Sequence, residues 1–471
     1  MTWIIFYIGF FCFSGAIYLR HTWFQTGSWD LGIFDQATYL ISKGITPNSS
    51  LLDFHILGDH GSLVLYPIGW LSIIFPSIKL LFILQGLALS STVFPLAKLA
   101  QKNNLSKKFT IISLVVFLLY PVIFNVAIFD FHPEVLAVPL VMEIILLISY
   151  ANSKYNCKIL FYILLSLTCK ITISFLVIGI GLWMISRKRI AIGLAISGFG
   201  TIWFIFIGLI LIPFYGGENA SIARHSNKFG ITNINIFSFK NLIDNIYILS
   251  KQIVSIENVG YIFLLVIPVI YLCFYKKRKY ALFNLFPITP LLFLNLISSI
   301  STMKDLVHQY SLFFVPFIVS EVQMSLVFVQ NGIKVYPKWI SKRISKILLI
   351  WSIVTFMIFS RLTFFFGPFQ DRFDNAYARR EAISKVDSQS AVLTSNDLIP
   401  HLSRRKIIEL STSDKLDKLD DFDEILLDRI HPGWNSNIEI VNSIIEELET
   451  NKNWNKKYEE GSVILFSKSK Y

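Results

Sequence analysis

Apolar stretches long enough to cross a bilayer recur along the first three quarters of the chain, and they restrict its fold more than any other feature. Ile190–Pro213 and Tyr310–Val329 are two examples. A helix of about 20 apolar residues crosses the roughly 30 Å of hydrocarbon in a membrane. Only 16% of the 471 residues are charged, whereas soluble proteins carry about a quarter. The sequence therefore predicts an integral membrane protein that crosses the bilayer many times.

We expect about eleven transmembrane helices, which make residues 1–367 an all-α polytopic membrane domain. Their approximate bounds are Ile4–Leu19, Leu80–Leu99, Phe109–Phe124, Val135–Tyr150, Lys158–Leu167, Ile173–Ile185, Ile190–Pro213, Tyr261–Phe274, Tyr280–Leu296, Tyr310–Val329 and Ile347–Phe366. The first is interpreted as a span and not a secretory signal, because it has no basic leading segment and no small-residue cleavage site before Arg20. The short stretch Ser62–Phe75 is expected to lie in the membrane interface. Lys158–Ile185 is interpreted as two short helices that meet near Cys169–Thr172, because a single crossing would put basic residues on both sides.

Clusters of lysine and arginine then occupy every second loop. They lie within Lys98–Lys108, Lys154–Lys158, Arg187–Arg189, Lys276–Lys279 and Lys334–Lys346. Such loops stay on the cytoplasmic side of a plasma (inner) membrane by the positive-inside rule. The formal charge of +12 therefore reflects orientation in the membrane, and we expect no nucleic-acid partner. The sequence also lacks a glycine-rich phosphate loop, which argues against a cytoplasmic nucleotide-driven enzyme.

The opposite, extracytoplasmic face is expected to hold the remaining loops: Arg20–Gly61, Asp130–Glu134, Phe214–Gly260, Ile300–Gln309 and everything after Gly367. Residues 368–471 differ in character from the rest, with mixed charge and alternating runs such as Glu424–Leu427 and Ser462–Phe466. This pattern is typical of a small soluble α/β domain.

Two acids in the first of these loops are candidate catalytic residues. Asp30 and Asp35 lie in a short polar run before an apolar-periodic stretch that ends near Ile41. One interpretation is structural, with Asp30 capping a surface helix and Asp35 solvated. The other is that one of them acts as a general base on an acceptor hydroxyl, since a carboxylate in a partly dry cleft can be tuned for proton transfer.

A second cluster lies in the tight link Phe129–Glu134. Pro133 and Glu134 are ordinary helix-start residues, but Asp130 and His132 have no such explanation. Two acids and an imidazole at this spacing predict either a divalent-cation site or pairing with a phosphate and a hydroxyl.

Several other polar residues occur near the ends of the predicted spans. Cationic or donor groups in such places hold lipid phosphates or, equally, anchor the protein in the interface. The candidates for phosphate binding are Lys170, His308, Tyr310 and His60. Glu143 and Glu321 fall inside predicted spans, where an acid is costly and indicates interior polar contacts.

Seven motifs, in order, resemble the prokaryotic membrane family called domain of unknown function 2079. They are WDLGIFDQATYL, GDHGSLVLYPIGWL, LQGLAL, LLYP, FDFHPE, SNDLIPHLSRR and DEILLD, and they cover nearly the whole chain. That family is similar in layout to the C-type glycosyltransferases, membrane enzymes that use polyprenyl-phosphate sugars. The resemblance implies an essential acid at Asp30 or Asp35 and a second acidic motif at Asp130 and Glu134. Acidic residues follow the family's lysine at Lys170, whereas Ile171 and Thr172 follow here, so only the lysine carries over.

The leading hypothesis is inverting transfer of a sugar from a polyprenyl-phosphate donor in the membrane lipid to an unidentified acceptor on the extracytoplasmic face. Asp30 or Asp35 would be the base, and Asp130, His132 and Glu134 would shape the site or hold a divalent cation. The donor phosphate would bind Lys170, His308, Tyr310 and His60. The alternatives are a transporter or flippase that uses Glu143 and Glu321, and an inert scaffold whose polar residues lie far apart.

Overall fold

The computed structural model of the chain describes residues 1–150, 152, 154, 156–217 and 239–469, and most of that part is helical. Residues 218–238 of the predicted outer loop Phe214–Gly260 lie outside the described residues. The helices up to residue 360 are Thr2–Thr22, Ile33–Ser42, Leu57–His60, Leu65–Ile74, Lys79–Ser91, Val93–Lys102, Lys107–Leu118, Pro121–Ile128, Ala137–Ser149, Asn156–Leu167, Ile173–Ser186, Ile190–Phe206, Ile212–Gly216, Phe239–Ile253, Ile256–Val266, Arg278–Leu285, Thr289–Leu296, Phe314–Gln330 and Lys338–Phe359.

Within the described part of the chain, 4 helical segments are long and apolar enough to cross a membrane: Thr2–Thr22, Lys79–Lys102, Ile190–Gly216 and Ile256–Phe274. A fifth is possible if Lys107–Leu118 and Pro121–Ile128, bent by 48°, count as one span. The other apolar helices have 10–17 residues. Prolines such as Pro121 and Pro287 interrupt the backbone hydrogen bonding and shorten them. The membrane character is therefore confirmed, but the expected number of eleven spans is not.

The stretch expected in the interface forms the short helix Leu65–Ile74. It packs closely against Ile33–Ser42, since a Cβ on Gly69 would lie 2.5 Å from the Ile41 side chain. Its other face is exposed at Trp70 and Ile74. Ten residues span only about 15 Å as a helix, so this segment is too short to cross the bilayer.

The break in the stretch Lys158–Ile185 lies where the sequence predicts it, between helices that end at Leu167 and begin at Ile173. Its backbone is attached to the first loop. Val64 donates its N–H to the Thr168 carbonyl at 3.1 Å, and Ile171 donates to the His60 carbonyl at 3.4 Å.

The five basic clusters lie at one end of the helix bundle, because contacts connect them in a ring. The connecting contacts are Lys98 with Glu143, Asn156 with Arg189, Arg187 with Asn284, Lys276 with Val335, and Gln330 with Ser106. We call this the basic end. We call the opposite end the site end. There Gly27 of the first loop contacts Asp130, and Phe129, which precedes Asp130, contacts His308 of the segment Ser301–Gln309.

The C-terminal part of the chain contains a five-stranded sheet of order β4-β3-β5-β7-β6. The pair β3 and β4 and the pair β3 and β5 are parallel, and the remaining pairs are antiparallel. The strands are β3 Val392–Thr394, β4 Ile408–Leu410, β5 Glu424–Asp428, β6 Trp454–Glu460 and β7 Val463–Lys468, with helices Ala376–Lys385, Ile399–Leu402 and Ile438–Thr450. A small two-stranded sheet, β1 Asn48–Ser49 and β2 Phe54–His55, lies in the first loop. That residues 368–471 form a separate extracytoplasmic domain stays a prediction.

This sheet region packs on the first loop at the site end. Asn396 Oδ1 accepts hydrogen bonds from the Ser28 backbone N–H at 3.0 Å and from the Ser28 hydroxyl at 2.7 Å. A Cβ on Gly32 would lie 2.8 Å from the Ile399 side chain. These contacts of the C-terminal sheet region therefore fix the position of the segment that carries Asp30.

Candidate functional site

Asp30 and His132 form an ion pair at the site end. Asp30 Oδ1 lies 3.1 Å from His132 Nε2, and the side chains are 36% and 4% exposed. The other imidazole nitrogen, Nδ1, lies 2.7 Å from the Asp130 carbonyl, which can only accept. With an acceptor at each nitrogen, the imidazole is held as a doubly protonated cation.

The electrostatics agree with that assignment. Burial alone lowers the pKa of His132, but the Asp30 carboxylate outweighs burial and raises it. Burial alone raises the pKa of Asp30, but His132 and the more distant Lys170 outweigh it and lower it. Each partner therefore favours the charged form of the other, and Asp30 is the member that faces solvent.

Asp30 lies on a single π-helical turn, Ser28–Gly32, a rare structure that is frequent at functional sites. The turn begins at Gly27, whose N–H donates to Asp130 Oδ2 at 2.8 Å. It closes where Gly32 donates to the Gly27 carbonyl at 3.2 Å. The widened turn points the Asp30 carboxylate toward His132.

Asp130 is buried and fully engaged. Arg20 Nη1 donates to its Oδ1 at 2.7 Å and to the Ile128 carbonyl at 3.1 Å, while Gly27 holds the second carboxylate oxygen. The carboxylate thus ties the end of the first helix to the start of the first loop. Sequence reasoning missed Arg20, which it used only to mark the end of a span.

Glu134 and Lys170 form a second buried pair, with Oε1 and Nζ 2.5 Å apart and side chains 3% and 5% exposed. The ammonium group also lies 5.4 Å from the Tyr310 ring centroid. Burial opposes charge on both groups, yet their mutual attraction lowers the pKa of Glu134 and raises that of Lys170. Although Lys170 lies at a break between two predicted spans, it is buried and not hydrated at the surface, because Glu134 compensates its charge inside the protein.

The two remaining histidines of the sequence prediction each face a nearby carboxylate. His308 Nδ1 lies 2.6 Å from Asp305 Oδ2, and His60 Nδ1 lies 2.7 Å from Asp59 Oδ2. Both rings are about a quarter exposed, at 23% and 26%. Their proposed contact with a phosphate stays a prediction.

The Phe129 ring joins these groups to a second arginine. His132 stacks on it with centroids 5.6 Å apart, and the His308 ring meets it edge-on at 5.4 Å. The Arg20 and Arg361 guanidinium carbons lie 5.4 and 5.7 Å from its centroid. Sequence reasoning also missed Arg361, although an arginine inside a predicted apolar span is itself a signal of function.

Asp35, the other candidate base, is not part of this cluster. Its side chain is 1% exposed and lies 3.0 Å from Arg404 Nη1. Ser403 donates its hydroxyl hydrogen to the same carboxylate at 2.7 Å. Asp35 therefore connects the first loop to the C-terminal sheet region.

The profile of a protein family described as "Predicted membrane protein (DUF2079)" matches residues 20–465. The chain belongs to this family. Its fold is similar to the crystal structures of ArnT from Cupriavidus metallidurans bound to undecaprenyl phosphate (TM-score 0.52, 8% identity, 97% of each chain covered) and in the apo state (0.52, 7%, 95% of each). The family match confirms the resemblance to domain of unknown function 2079 that the sequence motifs indicated. No curated protein matches the sequence significantly.

The predicted divalent-cation site does not fit the side chains present. Among the described residues, no three His, Cys, Asp or Glu side chains lie close enough together to hold a metal ion. Both Asp130 oxygens already accept hydrogen bonds from Arg20 and Gly27. Both His132 nitrogens already face oxygen acceptors. We therefore derive no chemistry through a metal.

An apolar cavity of about 770 Å³ runs along the first helix. It extends from Ile5 to Trp23, a distance of about 27 Å at 1.5 Å per helical residue. Its other walls include Leu118, Phe356 and Leu362. At the site end, the cavity reaches the neighbours of Arg20 and Arg361.

Proposed function

We propose that this protein is an inverting glycosyltransferase that moves a sugar from a polyprenyl-phosphate donor to an acceptor hydroxyl on the extracytoplasmic face. One observation carries the proposal. Asp30 is a partly exposed carboxylate that the buried His132 cation keeps ionised, at the end of the bundle opposite the basic loops. Asp35 drops out as the base because its carboxylate is buried against Arg404 and Ser403.

Asp30 acts as the general base in a single displacement at the anomeric carbon of the donor sugar. Its carboxylate accepts the proton of the acceptor hydroxyl while that oxygen bonds to the anomeric carbon from the face opposite the leaving group. The bond from the anomeric carbon to the phosphate oxygen breaks, and polyprenyl phosphate leaves with the electron pair. Because its pKa is lowered, Asp30 is a weaker base than an ordinary aspartate, but it stays ionised and can accept a proton. Its exposed oxygen releases the proton to solvent.

The donor is assigned to the apolar cavity and to the cations at its site end. A polyprenyl chain has only apolar surface to bury, and the cavity follows the first helix across most of the hydrocarbon thickness. Within the described residues, the Arg361 guanidinium has ring contacts and an Nε without a hydrogen-bond partner. Arg361 and His308 are thus our candidates for the phosphate. The fold similarity to ArnT, crystallised with undecaprenyl phosphate, supports this donor class.

Lys170 and Glu134 receive a positioning role in this proposal, because each compensates the other's charge. The Lys170 ammonium lies on the Tyr310 ring, and the Glu134 carboxylate favours the His132 cation, whereas the Lys170 charge opposes it. Tyr310 and His60 remain candidates for donor contacts at the rim of the site.

The alternatives find less support. A transporter requires a polar path across the bilayer, but Glu143 pairs with Lys98 and Glu321 bonds to Asn284, which also binds Arg187, at the basic end. A scaffold requires scattered polar residues, whereas Asp30 and His132 are in contact.

The test uses the purified protein in lipid nanodiscs with two probes. One is tritiated undecaprenyl phosphate for binding, and the other is a panel of labelled polyprenyl-phosphate hexoses for transfer to envelope glycans. We expect Asp30→Asn to lose transfer by about 10²–10⁴-fold, the usual share of a general base, while it still binds undecaprenyl phosphate. Arg361→Ala should weaken that binding.

Asp35→Asn is the matched control, because it makes the same substitution in the same loop away from the site. It should retain transfer within a few-fold. Full transfer by Asp30→Asn would overturn the proposal, and unchanged binding by Arg361→Ala would overturn the donor assignment.

A further inference from the structure

We propose that Trp29 and Trp434 form the acceptor site, and that they bind a carbohydrate by stacking on one of its pyranose rings. This inference rests on the proposed function, since it names the class of acceptor that receives the sugar. Neither tryptophan is part of the cluster around His132.

The two indoles meet in the open at the rim of the site. Their ring centroids are 5.8 Å apart with an interplanar angle of 88°. The residues are 39% and 58% exposed. A perpendicular pair forms a corner, in which the edge of one ring covers part of the other and leaves an aromatic face open. Two exposed indoles that make a corner, one of them next in sequence to Asp30, provide a surface for a ligand at the proposed base.

The corner is held in place by the C-terminal sheet region. Trp434 lies between Gly433 and Asn435, which have φ angles of 84° and 64°. A Cβ on Gly433 would lie 2.9 Å from the backbone nitrogen of Asn396, so only glycine permits this close approach. The Asn396 side chain in turn accepts both hydrogen bonds from Ser28, the residue before Trp29. One asparagine therefore sets the spacing between the two tryptophans.

The chemistry of this corner fits a sugar better than a lipid. One face of a pyranose carries C–H groups, whose partial positive charge suits the negative face of an indole, and its hydroxyl groups project from the rim. The flanks of the corner are polar: Asp30 follows Trp29, and His431 on the Trp434 side lies 3.2 Å from the half-exposed Asp374. A stacked ring would present a hydroxyl toward Asp30 and its other hydroxyls to water.

The test measures sugar binding independently of catalysis. Purified protein in nanodiscs is applied to an array of defined mono- and oligosaccharides. We expect the unmodified protein to bind a subset of the glycans, and Trp29→Ala and Trp434→Ala to bind about tenfold more weakly, which corresponds to the loss of one good stacking contact. Trp339→Ala is the matched control, because Trp339 is 62% exposed at the basic end. It should bind normally.

Two outcomes would overturn the inference: no glycan binding by the unmodified protein, or equal binding by all three tryptophan variants. A role in membrane anchoring, the usual alternative for exposed tryptophans, is tested with brominated phospholipids. If Trp434 were buried in the membrane, these lipids would quench its fluorescence, which is the part of the protein's signal that Trp434→Phe removes. Such quenching would also overturn the proposal.

Asp30→Asn separates this inference from the proposed function. We expect that variant to bind glycans normally, since the tryptophan corner is unchanged. If it also retains transfer, the catalytic proposal fails, whereas the glycan site is judged only by the tryptophan variants.

Discussion

Asp30 and Asp35 lie in the same short run of the first loop, yet they have opposite environments. Asp30 is 36% exposed and pairs with His132. Asp35 is 1% exposed and pairs with Arg404. Burial raises the pKa of Asp35, although Arg404 and Ser403 favour its ionised form. In contrast, the histidine cation lowers the pKa of Asp30.

We propose that Asp30 is available for chemistry, whereas Asp35 holds parts of the chain together. A buried carboxylate with both oxygens engaged cannot reach an acceptor hydroxyl. It can, however, hold two parts of the chain together.

The largest loss of stability is expected when the buried pair of Lys170 and Glu134 is broken. Lys170→Met leaves Glu134 as an unpaired buried charge, which typically costs about 3–5 kcal/mol. The melting temperature of the protein in nanodiscs should fall accordingly. The double variant Lys170→Met with Glu134→Leu should recover most of the loss, because it removes both charges. A single variant as stable as the unmodified protein would contradict the buried pair.

Substitutions of Asp35 should lower the stability of the protein but should not reduce sugar transfer. Asp35→Ala removes the carboxylate that accepts from Ser403 and from Arg404 Nη1, and the loss of these buried contacts costs about 1–3 kcal/mol. Asp35→Asn keeps an oxygen for the Ser403 hydroxyl and should cost less. Limited proteolysis of the C-terminal region reports the effect, with Asp30→Asn as the comparison. Equal protease sensitivity of Asp35→Ala and Asp30→Asn would contradict the proposal that Asp35, unlike Asp30, holds the C-terminal region in place.

A third prediction concerns the contact between the C-terminal region and the first helix at low pH. His401 stacks on His21 with ring centroids 4.0 Å apart, and burial, helped by Arg379, lowers its pKa to about 3. A histidine with a lowered folded-state pKa takes up its proton preferentially on unfolding. Stability should therefore fall by about 1 kcal/mol per pH unit as the pH drops below the ordinary 6.5.

The control for this contact is His401→Phe, which keeps a stacking ring but does not titrate. Its melting temperature should decline less than that of the unmodified protein between pH 6.5 and 5. Parallel declines would show that His401 is not responsible.

The smallest effect is expected from the Asp30 pair itself, because Asp30 is partly screened by solvent. The pKa of His132 is raised above 6.5, so its stabilisation is complete below 6.5 and is lost as the pH rises through the raised value. The pKa of Asp30 is lowered below 3.8, so its contribution is complete above 3.8 and is lost only in strong acid. The stabilising window thus runs from about pH 4 to 6.5.

Within this window the unmodified protein should exceed Asp30→Asn in stability by less than about 1 kcal/mol. The difference should shrink as the pH rises toward 9, in melts recorded at matched ionic strength. A difference that stays constant with pH would mean that His132 is not the titrating partner.

Much of the fold was predictable from local sequence. Apolar length, the alternation of basic loops and the short stretch near Trp70 indicated the membrane character, the basic end and the interfacial helix. The number of spans was not predictable, because prolines such as Pro121 and Pro287 shorten or bend the apolar helices. The break near Lys170 was predictable from charge, but its burial was not, since Glu134 lies in a different turn.

The candidate site was predictable only in part. Asp130 and His132 were singled out because helix-start signals do not explain them, and Asp30 was singled out as one of two possible bases. Arg20 and Arg361 were missed, because Arg20 was used only to mark the end of a span and Arg361 was treated as part of one. Their contacts with Phe129 connect positions more than 100 residues apart, as with Arg20 and Asp130 at a separation of 110. No local pattern contains such pairings.

By itself, the sequence determined that lipid is the solvent and that charge is segregated to one end, because transfer free energy and loop charge depend on composition along a short window. Only the tertiary structure decided which aspartate faces solvent, which lysine is neutralised and which two tryptophans meet. Those outcomes depend on burial and on partners from distant segments. The pKa of a side chain depends on its assembled environment, so two aspartates five positions apart in the sequence have different exposure and different partners.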